Sequence, residues 1–589
     1  MEWTSKPAGA AAQVDTRTSF YGLASAASIG ANVGTMSSLK MRPLQIAHAC
    51  VLRVVPLLCC LGGARAQSAQ FIPIAGTSAT PGSNGNGCYV NSQPRLSADG
   101  GTVGFTSYRG GVSTGAVPYD YAIWTQNGGT EVIAPSTSYG ENFGWGIWGL
   151  SGDGTLACGS NWIWRRVGGY QSLDSTLNAQ FPSVGYSVLF GCSQDGSVLA
   201  GWREGTVGIP AGGGDYFRWQ LPQGAPQLLP RDAQHPEGYF TFNCVSGDGS
   251  VVGGQTYRSD ATYGQTYAAA LVTPAGTTLL TPESAGNATI LRDLSFNGGV
   301  AVGQVSPGGP LGGFALESFR WSAANGLEVL PTPGTTSAAH ACDSSGNTVV
   351  GAYLSFGTAG TRAYVWRAGS GATDLQVELT NTYGLGSALQ GWTLLSATDV
   401  SADGSVIVGQ GVNPSGCEQV FLVRLPPDPS TPTTLCAGDG SAGTTPCPCG
   451  NSGATGNGCA NSVNPSGARL AAIGQARLAA PSLQLYGSGM PNAPVLYFQG
   501  TAALSGGAGV AFGDGLRCAG GTVVRLRTRQ NSSGGSIVPT TNEPTLAVLG
   551  SIPADGGTRI YQAWYRNSAT YCTSAAFNLT NAVAATWAP

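Results

Sequence analysis

An apolar residue, then Ser-x-Asp-Gly, then a β-branched run closing on Gly, recurs along this chain. The fullest copy is V-S-A-D-G-S-V-I-V-G at 400–409, and related copies stand at 96–100, 150–154, 192–196, 245–249, 294–298 and 342–346. Their Asp-equivalent residues are Asp99, Asp153, Asp195, Asp248, Asn297, Ser345 and Asp403, spaced by 54, 42, 53, 49, 48 and 58 residues. Each copy predicts a tight turn between two strands, with Gly at the positive-φ position and Asp or Ser bonding local backbone. After a Gly-rich loop comes an aromatic strand, at 121–124, 162–164, 216–219, 267–271, 318–321, 363–366 and 420–423. A Gly turn and a short strand follow in six of the seven units, at 130–133, 171–173, 226–229, 277–280, 327–330 and 373–375.

Four strands per unit and a period near fifty predict an all-β fold, a seven-bladed β-propeller over 67–426. The seventh unit lacks its fourth strand. Residues 71–74, F-I-P-I, are expected to supply it and close the ring, which removes exposed sheet edges. The Pro-rich stretch 427–435 reads as a linker. Beyond it, 436–589 reads as a Cys-rich segment and a small disulfide-stabilised β-sandwich, with strands expected at 482–486, 495–498, 523–527, 545–549, 559–566 and 577–587.

On these residues the unit resembles the HAF-type extracellular repeat, a bacterial secreted β-propeller motif. Residues 391–426, GWTLLSATDVSADGSVIVGQGVNPSGCEQVFLVRLP, are similar to a terminal unit of that family. The resemblance covers roughly 71–426. It implies secretion and a surface or binding role and brings no catalytic residues. Residues 447–461, 513–520 (GDGLRCAG) and 561–567 (YQAWYRN) resemble a C-terminal module of large secreted bacterial proteins, for which no activity is implied.

Targeting and composition fit this picture. Residues 1–40 carry no core pattern and are expected to be a non-native or disordered extension. Residues 41–66 read as a secretory signal, with Arg42, an apolar stretch at 54–61 and Ala-Arg-Ala at 64–66. No other segment is long and apolar enough to span a bilayer. After Ala66 there is no Lys; 21 Arg against 28 Asp plus Glu give −7, which argues against nucleic-acid binding. Twelve of the 15 Cys lie beyond the presequence, and disulfides are the default in an oxidising compartment. Cys88 with Cys417 would lock the ring, and Cys158 and Cys192 fall at similar depth on neighbouring units. Cys244 and Cys342 lie two units apart and read as buried thiols. Cys436, Cys447, Cys449 and Cys459 favour disulfides over zinc, because their spacing lacks paired C-x-x-C, and Cys518 and Cys572 are expected to staple the sandwich.

Candidate chemistry is sparse. One Asp per turn is too few oxygens for a calcium loop, so the repeated Asp reads as structural. G-V-S-T-G at 111–115 matches a nucleophile pattern but precedes no helix. Carboxylates in the variable stretches are Asp120, Glu204, Asp215, Glu237 and Glu317, with nothing in their spacing to pair them. The ligand-binding candidates are Phe143, Trp145, Trp148, Arg203, His340 and Trp392. The rings invite sugar stacking, although packing between blades is the default for such large groups. No metal or cofactor is expected. The function expected is a non-catalytic binding or structural protein, secreted or at the cell surface, whose partner is an envelope component, a polysaccharide or a protein. The alternative is a propeller hydrolase or lyase acting on extracellular polysaccharide.

Overall fold

A computed structural model describes residues 68–589, apart from 77–93, 109–118, 136–145, 182–186, 205–213, 222–223, 232–243, 261–263, 281–288, 307–315, 335, 356–359, 427–431, 480, 533, 541–542 and 570. The expected extension and signal segment therefore lie outside the described residues, as do Cys88, Phe143, Trp145, Glu237 and the G-V-S-T-G stretch.

The chain is a β-propeller followed by further sheets. Seven four-stranded antiparallel sheets occur among the described residues. Six are built from consecutive strands, such as Arg95–Leu96, Thr102–Tyr108, Tyr119–Thr125 and Gly129–Pro135. The last contains Thr393–Val400, Val406–Val412 and Glu418–Arg424, and takes its fourth strand from Gln70–Ile74, with Phe71 opposite Val423. The N-terminal strand thus closes the ring as its sequence predicts.

The repeat motif makes the turn for the reason its residues suggest. Ser97 Oγ donates to Asp99 Oδ1 (2.6 Å), Gly101 N–H donates to the same oxygen, and Thr102 N–H donates to Ser97 Oγ. Gly100 sits at φ +69°, where a Cβ would fall 2.6 Å from Val406 Cγ2 of the neighbouring sheet. In the sixth copy Ser and Asp exchange places. Asp343 there accepts from the backbone of Ser345, Asn347 and Thr348 and from the Ser345 hydroxyl.

The turns also hold one another. Asp99 N–H donates to Gly152 O, Gly152 to Gln194, Gln194 to Gly247, Asp248 to Phe296, Phe296 to Ser344, Ser344 to Ala402, and Ala402 back to Ala98. This closed belt joins all seven sheets. Apolar clusters fill the spaces between successive sheets. Val103, Phe105, Val408 and Leu422 belong to the one joining the first and last sheets, and Leu375, Leu379, Leu394 and Phe421 to the one before it. Two short helices missed by periodicity, Asp174–Gln180 and Leu375–Asn381, pack Leu177 and Leu379 into such clusters. The second is capped by Asp374, which accepts from Val377 N–H.

The remainder is a six-stranded sheet, a three-stranded sheet (Arg469–Ile473, Gln484–Ser488, Ser536–Val538) and a hairpin (Val510–Phe512 with Gly515–Arg517). Leu470, Leu485, Tyr497, Tyr561 and Trp587 are part of the core here. Residues 546–549, expected as strand, form a helical turn instead, with Leu546 and Ala547 buried. Disulfides join Cys436 to Cys518, Cys447 to Cys459 and Cys449 to Cys572. Cys518 and Cys572 do staple this region, each to a cysteine of the Cys-rich segment. In the propeller the pairing differs from expectation. Cys158 and Cys192 are buried neighbouring thiols rather than a bond; the hydrogen bond with Cys158, and then burial in an apolar cluster, push the Cys192 thiol well up. Cys417 is a free thiol, and Cys88, its expected partner, lies outside the described residues. Cys244 and Cys342 are buried thiols.

Candidate active site

In a sheet the innermost strand runs into the turn, so the residue two places before the motif's Ser position recurs at one depth in every sheet. That position holds Arg95, Gly149, Gly191, Cys244, Asp293, Ala341 and Asp399. The side chain there reaches the next sheet. Asp399 Oδ2 accepts from Leu96 N–H (2.9 Å), and Asp293 Oδ2 accepts from Cys342 N–H (2.9 Å). At Gly149 a Cβ would lie 2.9 Å from Cys192 N, so only some sheets have room for a side chain. The outcome is a ring of mostly small residues carrying one guanidinium and two carboxyls.

These three groups feel one another although their sheets are not all adjacent. Burial, and then repulsion from Asp399, raises the Asp293 carboxyl to about 7, against the opposing pull of Arg95 and two backbone N–H donors. Asp399 is likewise raised by burial, opposed by Arg95 and by the N–H groups of Leu96 and Val400. One step toward the strand starts, bulges break the register at Arg292, His340 and Thr398. A bulge re-aims its side chain and is a common device beside functional sites. His340 Nδ1 lies 3.0 Å from Ala397 O and 3.1 Å from Ser396 Oγ. Burial first, then Arg292 and Arg95, lowers this imidazole to about 4, so it is neutral at pH 7. Arg292 is exposed and donates to Gln304 Oε1 (3.1 Å); burial of part of the group and the nearby Arg95 lower it.

The turn end of the axis is closed. Gln194 Nε2 donates across the ring to Ser344 Oγ (3.4 Å), and a Cβ on Gly247 would strike Phe296 and Gln194. Tyr486, from the three-stranded sheet, packs edge-on against Phe296 with centroids 5.2 Å apart, and Asn347 Nδ2 donates to Ser482 Oγ.

The expected site residues fall in different places. His340 joins the ring. Trp148 is half-buried at the register position equivalent to His340, with its backbone N–H donating to Cys158 O. Trp392 is buried and packs edge-on against Phe71, at 5.1 Å. Arg203 pairs with Asp215 (3.0 Å) and lies over the Phe181 ring. Asp215 also pairs with Arg231, and Asp120 is buried; both stand on strands, Gly214–Gln220 and Tyr119–Thr125, rather than in loops. The motif aspartates are spent on their turns. Arg527 and Arg529 pair with Glu543, whose carboxyl is held down at about 2 by Thr540 N–H and the two guanidiniums. Sequence reasoning missed Arg95, Asp293 and Asp399. Their signal was available by aligning the seven copies and reading upstream of Ser rather than at the repeated Asp.

No protein-family model matches the chain, and no curated protein does. Among solved structures, the β-propeller domain of the Trilobed protease from Pyrococcus furiosus matches at 9% identity and TM-score 0.37, over 57% of this chain and 93% of that one. A Pyrococcus horikoshii acylaminoacyl peptidase matches at 10% and 0.38, over 57% and 51%. An oligogalacturonate lyase in complex with manganese matches at 11% and 0.38, over 61% and 98%. At these identities the likeness concerns the propeller fold alone. Among the described residues no group of three His, Cys, Asp or Glu is placed to hold a metal ion, and no helix is long and apolar enough to cross a membrane. The expectation of a non-catalytic binding or structural protein is corrected here. The inner ring brings Asp293 and Asp399 into the field of Arg95, acid–base groups that the expectation did not include.

Proposed function

We propose that this chain is an exported propeller hydrolase or lyase acting on extracellular polysaccharide. The observation that carries it is the pair Asp293 and Asp399 beside Arg95 in the inner ring, with one carboxyl raised to about 7. A carboxyl raised to about 7, in the field of a second carboxyl, is poised to exchange a proton near neutral pH, as acid–base catalysis requires. Cleavage of a glycosidic bond needs those two roles and no metal. In this reading Asp293 gives its proton to the leaving oxygen. Asp399 acts as base or stabilises developing positive charge, and Arg95 and Arg292 hold an anionic substituent of the sugar. A Ser396–His340 nucleophile is disfavoured. The nitrogen that Ser396 approaches is the one that donates its proton to Ala397 O, so it has no lone pair to take the hydroxyl proton.

The belt of turns and the apolar clusters between sheets support a seven-bladed ring over 67–426, with 436–589 as a disulfide-stabilised β-sandwich module. The disulfides support an oxidising, extracellular location. The test is release of sugar ends from a panel of anionic and neutral polysaccharides by the full, oxidised chain, with ultraviolet absorbance of unsaturated product separating lyase from hydrolase. Release that is lost in Asp293→Asn is expected. No release from any polymer, or an equally active Asp293→Asn, overturns the proposal.

A further inference from the structure

A second surface, remote in sequence from the inner ring, carries a line of aromatic and cationic side chains. Phe512 of the Val510–Phe512 hairpin strand stands 4.9 Å from Phe577, and Phe577 stands 5.4 Å from Trp564, centroid to centroid. Arginines cap both ends, Arg517 over Phe512 at 5.9 Å and Arg566 over Trp564 at 5.5 Å. The pairing explains the line. Trp564 and Arg566 are two apart on Gly557–Arg566 and share a face, and Phe577 lies directly across from Arg566. Leu579, Ile560 and Leu516 are buried in the cluster that Trp564 and Phe577 edge, while Phe512 is 42% and Val510 39% exposed.

The platform is held in place. Gly513, at φ +64°, leaves no room for a Cβ, which would fall 2.3 Å from the Phe577 ring, so the hairpin turn lies directly on that ring. The buried Asp514 accepts from Thr573 N–H and Thr573 Oγ1, both at 2.7 Å, and from Asn567. The Cys449–Cys572 bond ties the same loop. Among the described residues neither Arg517 nor Arg566 forms an ion pair.

We infer that this ladder is a binding platform for an anionic polysaccharide chain. The C–H faces of pyranose rings pack on aromatic rings, whose faces are electron-rich. Guanidinium forks pair with carboxylate or sulfate at either end. A neutral sugar would leave both arginines without a counter-charge, which is the argument for an acidic polymer.

The test is affinity electrophoresis of the full oxidised chain through gels containing polygalacturonate, a neutral β-glucan or a single-stranded polynucleotide. An Asp293→Asn background prevents any turnover and keeps this result separate from the activity proposal. Retardation by polygalacturonate alone is expected, weakening with salt. Phe512→Ala and Arg566→Gln, both at exposed positions, should each weaken it about tenfold with unchanged melting temperature. Equal retardation by the β-glucan or the polynucleotide overturns the inference, as does retardation that neither substitution changes, or none at all.

Discussion

Aspartates occur at two depths along the same inner strands, and they do opposite things. In the turns, Asp153 is held below its ordinary range, because Ser151, Thr155 and backbone N–H donors outweigh its partial burial. Its charge is consumed by local bonds. Four residues earlier on equivalent strands, Asp293 and Asp399 accept fewer bonds, lie in the field of Arg95, and are raised by burial. The difference teaches that a repeated residue in a repeat protein is a scaffold residue, whereas chemistry sits where the copies disagree. The turn position is Asp, Asn or Ser in all seven copies. The inner position is Arg, Gly, Cys, Asp or Ala.

Substitutions can break or sharpen that contrast. The largest effect is expected at the inner ring. Asp293→Asn or Asp399→Asn should lower sugar release by about 10²–10⁴-fold while the variants still fold cooperatively, measured by reducing-end assay and calorimetry. Turn substitutions should behave the other way round. Gly100→Ala forces a side chain into positive φ against Val406 and should cost about 1–3 kcal/mol in denaturant unfolding, with activity per folded molecule unchanged. Asp403→Ala removes the acceptor for the Ser401 and Ser405 hydroxyls and Ser405 N–H, and should cost about 1–2 kcal/mol.

A pH series sharpens the electrostatics. Asp293 binds its proton more tightly folded than unfolded, so the folded state holds more protons between pH 4 and 7. Its contribution to stability is fully present below the unfolded carboxylate range and is lost as pH rises through about 7. Asp293→Asn stays neutral, so its melting temperature relative to the parent should rise from pH 4 to pH 8. The smallest effect is expected in the sixth turn, where Ser and Asp are exchanged. Asp343→Ser and Ser345→Asp should each destabilise, and the double substitution, which restores the common order, should recover most of the loss. Denaturant unfolding of the cycle measures that coupling.

Much of the fold was legible because period-two strands, turn glycines and the missing fourth strand of the last unit are local signals. The pairing of Gln70–Ile74 with Glu418–Arg424 followed from counting strands. The helices were not legible. Asp174–Gln180 and Leu375–Asn381 are seven residues each, too short for a helical stripe to emerge beside the neighbouring strands. The stretch at 545–549 reads as strand by composition, yet packing of Leu546 and Ala547 decides for a helical turn. The site was the least legible part. Carboxylates such as Asp215 draw attention by being charged, but Arg203 and Arg231 neutralise it in the fold. Asp293 and Asp399 sit on strands that read as core, and only ring closure brings them near Arg95, about 200 and 300 residues earlier. Among the aromatics, Trp392 had no local sign that Phe71 would cover it.

The account rests on an inner-ring carboxyl whose titration is raised to about 7. Carbon-detected NMR titration of aspartate carboxyls in the full oxidised chain, beside the Asp293→Asn variant, tests this directly. One carboxyl titrating at about 7, and absent from the variant, is the predicted result. Aspartates that all titrate in the ordinary range near 4 would contradict it, and with it the acid–base role of the ring.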